Sequence, residues 1–238
     1  MRRFFNLYQF LCPLLALPAT WYLWLEEFAW NTEFVFLILS LPIVSSYVVP
    51  GIGTNYLGIW EFDTKFRLGK FRPQHGFVFG TATALIVYLC FDHSVAVVDS
   101  ALVLRTAFVM GSVIGFWNWF YDALAVEAGF IRLYNKAWAD GAGPAGITME
   151  YAPVYFGMHG FVYGAEIRIL QYLLVEQQLW EWYWPLFIIC NILTIAIPTL
   201  TYMAFARMRT GEWGIESYKD QVMVEAIDNP RGDEQPSR

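Results

Sequence analysis

Tyr155, His159, Tyr163 and Glu166 lie four, four and three residues apart, and Glu150 stands just before them. On a helix that spacing stacks the four on one face. The segment around them, 153–175, is long and mostly apolar. Ionisable groups in such a segment are costly, and they mark function by default. A second group closes the preceding apolar stretch, where FWNWFYDALAVEAGF carries Asn118, Asp122 and Glu127. His75 opens another stretch, placed at the same end of a helical bundle. Asp122, Glu127 and Glu150 would then form an acidic cluster with His75 and His159 nearby. Carboxyl groups in an apolar cavity keep their protons near neutral pH, and a protonated carboxyl is a general acid. Glu150, Asp122, His159, His75 and Glu127 are therefore the catalytic candidates. Trp117, Trp119, Asn118, Tyr155, Tyr163 and Glu166 are the candidate substrate-binding wall, since aromatic faces attract cations. The plainer reading of the same residues is packing: His159 and Glu166 hydrogen-bonding across helices, Glu166 paired with Arg168 or Arg105, and Asp122 and Glu127 flanking a helix end in water.

The elements that must position these groups are membrane helices. Apolar stretches run over 4–25, 34–50, 76–91, 101–121, 153–175 and 182–206. Each is near the ~20 residues that cross a hydrocarbon layer of ~30 Å, the second and third being short. Arg2, Arg3, Lys65, Arg67, Lys70, Arg72, Arg132, Lys136, Arg207 and Arg209 all fall in alternate connections. The remaining connections hold Glu26, Glu27 and Glu33, then Asp92 and Asp99, then Glu176 and Glu181, with no Lys or Arg. Lys and Arg bias sets orientation, so both termini and both long loops are expected in the cytoplasm. The expected fold is an all-α membrane protein with six transmembrane helices, residues 1–210 forming one domain. Residues 211–238 are a cytoplasmic tail, a short amphipathic segment followed by a polar, Pro-containing and disordered end. A bacterial inner membrane is the expected location.

Composition agrees: 57% of residues are hydrophobic and 15% charged, against about a quarter charged in soluble proteins. A net charge of −6 without a concentrated basic face excludes nucleic acid as a partner. The basic run from Lys65 to Arg72 is suited to anionic lipid headgroups. Cys12, Cys90 and Cys190 all fall in apolar stretches and are expected as buried thiols. The first stretch carries Pro13 and Pro18 and no small-residue cleavage pattern, so no cleavable signal peptide is expected. Three histidines in different segments, without HxxxH, HExxH or paired-Cys spacing, give no metal site. GIGTNYLG lacks the lysine of a phosphate loop and no GxSxG is present, so no cofactor is expected. Gly160 and Gly164 form a GxxxG that admits a neighbouring helix closely.

The long loops 51–75 and 122–152 are alike in carrying glycines and aromatics and in leading into an apolar stretch through Pro73 or Pro153. DALAVEAGF followed by GITMEYAPVYFG, and VVPGIGTNYLGIWEF followed by FRPQHGFVFG, span about 48–161. Together they resemble the small integral-membrane lycopene cyclases of carotenoid biosynthesis, which are built from two related three-helix units. They are similar also to the membrane-bound terpene cyclases. The departures are specific: Glu150-Tyr151 and Gln74-His75 stand where the family has paired glutamates, and Asn55 replaces the first aspartate. The resemblance implies cofactor-independent cyclisation of an isoprenoid, with Glu150 as acid, Asp122 as its partner, and His159 or His75 as the final base. Three readings remain open: an enzyme of cyclisation, isomerisation or hydration on an apolar lipid or isoprenoid, a proton-linked small-molecule carrier, and a scaffold or assembly subunit.

Overall fold

A computed structural model describes residues 1–93 and 97–220. Helices α1 (Arg2–Leu11) and α2 (Leu17–Glu27) run on through a wide turn at Cys12–Ala16, where Pro13 removes one backbone donor. Asn31 starts α3 (Thr32–Gly51) by accepting the Phe34 N–H at 3.0 Å. A second wide turn, Ile52–Tyr56, carries α3 into the first loop. Helix α4 (His75–Cys90) follows, and Asp99 caps α5 (Ser100–Glu127) through the Leu102 N–H at 2.7 Å. After the short α6 (Lys136–Ala139) and α7 (Pro144–Met149), Pro153 sits in the first turn of α8 (Ala152–Leu170). Helix α9 (Tyr183–Thr210) ends the bundle.

Among the described residues, three helical segments are long and apolar enough to cross a membrane: Thr32–Tyr56, Ser100–Glu127 and Trp180–Thr210. Helix α4 is apolar but shorter. The first expected stretch is divided by the turn at Cys12–Ala16, and α8 carries His159, Glu166 and Arg168 along its length.

Helix α8 lies between α5 and α9, with α3 alongside. Its contact with α5 is close because glycines face each other there. A Cβ on Gly160 would fall 2.5 Å from the Met110 carbonyl, and one on Gly111 would fall 2.8 Å from that of Gly157. Gly157 of α8 thus faces Gly111 and Gly115 of α5, while the GxxxG glycines Gly160 and Gly164 admit Met110, Ile114 and Thr106.

Charged connections sort to two ends. At one end Arg2 bonds Asp63 at 2.8 Å and the Gly129 carbonyl at 3.3 Å, and Lys219 reaches Glu61 at 3.4 Å. At the other, His93 bonds Glu27 at 2.6 Å, Arg105 bonds Asp92, and Glu176 accepts the Val98 N–H at 2.9 Å. Two features depart from the all-helical expectation. Strands β1 (Trp60–Phe62) and β2 (Ile131–Leu133), one from each long loop, pair antiparallel with Glu61 opposite Arg132. The segment 211–218, where the amphipathic stretch is expected to begin, has no regular structure and packs on both loops; the rest of that stretch past 220 and the polar end at 229–238 lie outside the described residues.

Candidate functional site

The two loops and the ends of α3, α5, α8 and α9 enclose a cavity of about 250 Å³. One wall is the end of α3, its following turn and β1. Gly53 makes room here, since a Cβ on it would overlap the Trp60 ring at 2.2 Å. His75 and Phe79 of α4 form the floor, Tyr121 and Asp122 of α5 face them, and Tyr151, Tyr155 and Phe156 close the third side. The wall is almost wholly apolar and aromatic, and among the described residues Asp122 is the one carboxyl in it.

Asp122 stands in the last turns of α5, and Tyr151 stands at the N-terminus of α8. The Tyr151 hydroxyl donates to Asp122 Oδ2 at 2.5 Å. Opposite them is a second pair. Arg72 is 1% exposed, with its guanidinium over the Phe62 and Phe130 rings at 4.7 and 5.3 Å. Its Nε–H donates to His75 Nδ1 at 2.9 Å. Because Nδ1 accepts, the proton of a neutral His75 lies on Nε2, so the ring offers the cavity a donor. With Nδ1 taken by Arg72, only Nε2 of His75 is turned to the cavity.

The structure separates the expected acidic cluster. The Glu150 carboxylate accepts the Ala137 N–H at 2.7 Å, tying the start of α6, and has Arg209 4.0 Å away. Burial raises its pKa, opposed by the Ala137 N–H and Arg209. Glu127 is exposed. Neither lines the cavity. Of the other candidates, Tyr155 is in the wall beside the Ser45 and Thr199 hydroxyls. Trp117 points outward, Trp119 is half-buried with its indole N–H 3.5 Å from the Ala145 carbonyl, and Asn118 bonds back to Ile114 of its own helix at 2.9 Å.

His159, Tyr163 and Glu166 lie deeper on α8, outside the cavity wall. Glu166 Oε2 is 2.5 Å from the Thr194 hydroxyl of α9, which also bonds the Cys190 carbonyl at 2.8 Å. Glu166 pairs with neither Arg105 nor Arg168. Arg168 bonds Gln171 at 2.7 Å and the Asp92 carbonyl at 2.8 Å, 3.6 Å over the Phe91 ring. His159 is 1% exposed, and neither ring nitrogen meets a hydrogen-bond partner among the described residues.

Arg72, Tyr121 and Tyr151 escaped the sequence reading. Arg72 belongs to the basic run expected at anionic lipid headgroups, yet its spacing of three from His75 places both on the turn leading into α4. Among the described residues no three His, Cys, Asp or Glu side chains converge as a metal site. What the arrangement can do is move a proton between a carboxyl, a phenol and an apolar molecule. Compared with protein-family models, curated proteins and solved structures, the chain has no match.

Proposed function

We propose that this chain is an integral membrane enzyme performing cofactor-independent acid–base chemistry on an apolar, isoprenoid-type substrate: cyclisation, isomerisation or hydration. The observation that carries the reading is the Asp122–Tyr151 pair, set in an aromatic cavity with no other carboxyl among the described residues. The cavity lies just below the ~300–1,000 Å³ usual for ligand pockets, so it suits one end of a chain-like molecule. The likeness of both loops to the small lycopene cyclases supports the same reading. The acid role passes from Glu150 to Asp122, because only Asp122 faces the cavity.

In this mechanism the Asp122 carboxyl proton adds to one carbon of a double bond. Positive charge develops on the neighbouring carbon, facing the Phe79, Phe156 and Tyr155 rings. The carboxylate left behind is stabilised by the Tyr151 hydroxyl and by the field of the buried Arg72. The cation closes a ring or takes up water, and the proton then lost returns to the Asp122 carboxylate. His75, with Nδ1 occupied, orients the site as a donor.

The chain crosses the membrane six times in this proposal, with both long loops, Arg2 and residues 211–220 on the cytoplasmic side of a bacterial inner membrane. Their meeting at one end of the bundle, away from the acidic connections, supports that orientation. Mass spectrometry of lipid extracts from a bacterial host making acyclic polyprenyl compounds tests the activity. A product of unchanged mass, or of one added water, is expected with the protein and absent with Asp122→Asn. An undiminished product with that variant removes Asp122 as the donor, and no product from the well-expressed parent removes this substrate class.

A further inference from the structure

Helix α9 stops at Gly211, whose φ of 79° and N–H bond to the Arg207 carbonyl at 3.0 Å turn the chain away from the helix axis. Gly214 repeats the reversal with φ 73°, and a Cβ there would meet the Tyr202 hydroxyl at 2.5 Å. That hydroxyl instead donates to the Gly214 carbonyl at 3.0 Å. The turned segment crosses the cavity, and Gly214 and Ile215 become part of its wall. Beyond them the chain is pinned to both loops. The Ser217 hydroxyl donates to the Gly58 carbonyl at 2.9 Å, and the Tyr218 N–H donates to the Tyr134 carbonyl at 2.8 Å. The Lys219 ammonium lies 3.4 Å from Glu61 and 4.6 Å over the Tyr134 ring. On another side of the same cavity the wall is thin. Ile52 lines it while being 50% exposed, and exposed Val48 and Tyr56 flank it on the same run of helix.

We propose that residues 211–220 are a strap that shuts the cavity from water, so that its ligand enters and leaves sideways through the bilayer past Ile52. The proposal rests on the functional reading above only in taking this cavity as the ligand site. The strap's own polar groups bond outward to the loops, while Gly214 and Ile215 present backbone and an apolar side chain inward. Water is thereby kept from the Asp122–Tyr151 pair, and an apolar ligand avoids an aqueous crossing that its hydration would oppose. The pins are few and polar, so opening the strap breaks few contacts and is a local event.

The test places one thiol in the cavity, Thr199→Cys, with Cys12, Cys90 and Cys190 changed to alanine, in lipid nanodiscs. A charged maleimide and an apolar, membrane-soluble maleimide are compared on three chains: the full chain, one ending at Thr210, and the full chain carrying Ser217→Ala and Lys219→Glu. The apolar reagent is expected to label the full chain readily, and the charged one slowly. The charged reagent's rate should rise about tenfold when the pins are lost, as local opening becomes easier. The apolar rate should stay within about twofold, since its route does not cross the strap. Should the shortened chain fail to fold, the double variant gives the same comparison. Equal charged-reagent rates on pinned and unpinned chains overturn the strap, and failure of the apolar reagent to label the full chain overturns lateral entry. Access is read without turnover, so Asp122→Asn added to each chain leaves the rates unchanged, and the reaction and the route fail separately.

Discussion

Loops 51–75 and 122–152 approach one cavity from opposite sides and bring it opposite chemistry. The second delivers a carboxyl and a phenol, Asp122 and Tyr151, bonded to each other across the gap between α5 and α8. The first delivers a guanidinium and an imidazole, Arg72 and His75, bonded in the same manner. At the position likened to Asp122 the first loop has Asn55, which is exposed and accepts the Lys70 N–H at 2.9 Å to hold its own turn. One loop thus supplies an acidic pair and the other a basic pair. The strands β1 and β2 hold the loops in register, so neither forms the cavity alone.

The largest expected effect separates the acid of one loop from the amide of the other. Asp122→Asn should lower product formation by about 10²–10⁴, the range for losing a general acid, and Asn55→Asp in the same chain should restore none of it. Product analysis of single and double variants measures this, and rescue by Asn55→Asp would make the loops interchangeable. Next, Arg72→Met leaves His75 Nδ1 without its donor in a buried setting. Thermal unfolding in detergent should show a loss of about 2 kcal/mol, the scale of a hydrogen bond to a charged group. An unchanged midpoint would mean that the cation does not fix the imidazole. Asn55→Ala removes only an exposed turn bond, and a loss of about 0.5 kcal/mol with unchanged product is expected.

The smallest effects are those of pH, and they run in opposite directions in the two loops. Arg2 holds Asp63 of the first loop below the usual carboxylate range. Burial pushes Glu61 up, but Tyr134, Lys219 and Arg132 outweigh it and its pKa is lowered. Both contribute stability that is present above about pH 4 and lost as pH falls through their folded values. Glu150 of the second loop is raised by burial, so its contribution is present below the unfolded value and lost as pH rises through the folded one. Unfolding midpoints followed across pH should therefore lose acid-side slope with Asp63→Asn and rise at neutral pH with Glu150→Gln. The same slope change from both variants would erase the contrast between the loops.

Apolar length was readable because it is a property of single segments: each of the three long apolar helices contains a stretch marked by composition alone and runs past it at both ends. The glycine stripe of α8 was readable for the same reason, since small residues at a spacing of four need only one helix to be recognised. Asp122, His75 and Tyr155 could be nominated as costly groups beside apolar runs. What escaped depends on where two loops meet. Glu150 has mostly apolar neighbours in sequence, yet its carboxylate is taken by the Ala137 N–H, a bond set by how α6 folds back. Arg72 reads as one more loop cation, and only the stacking of Phe62 and Phe130 from both loops makes it a buried one. Likewise β1 and β2 are too short to announce themselves and exist because each supplies the other's hydrogen bonds.

The cavity wall is drawn from segments spread between Val49 and Ile215, so early-made and late-made parts of the chain meet only there. A molecule that fills it acts as a non-covalent crosslink between them, and by mass action it raises the unfolding temperature with the logarithm of its concentration over its Kd. A library of apolar compounds can therefore be ranked by thermal shift on the purified protein, before any product has been seen.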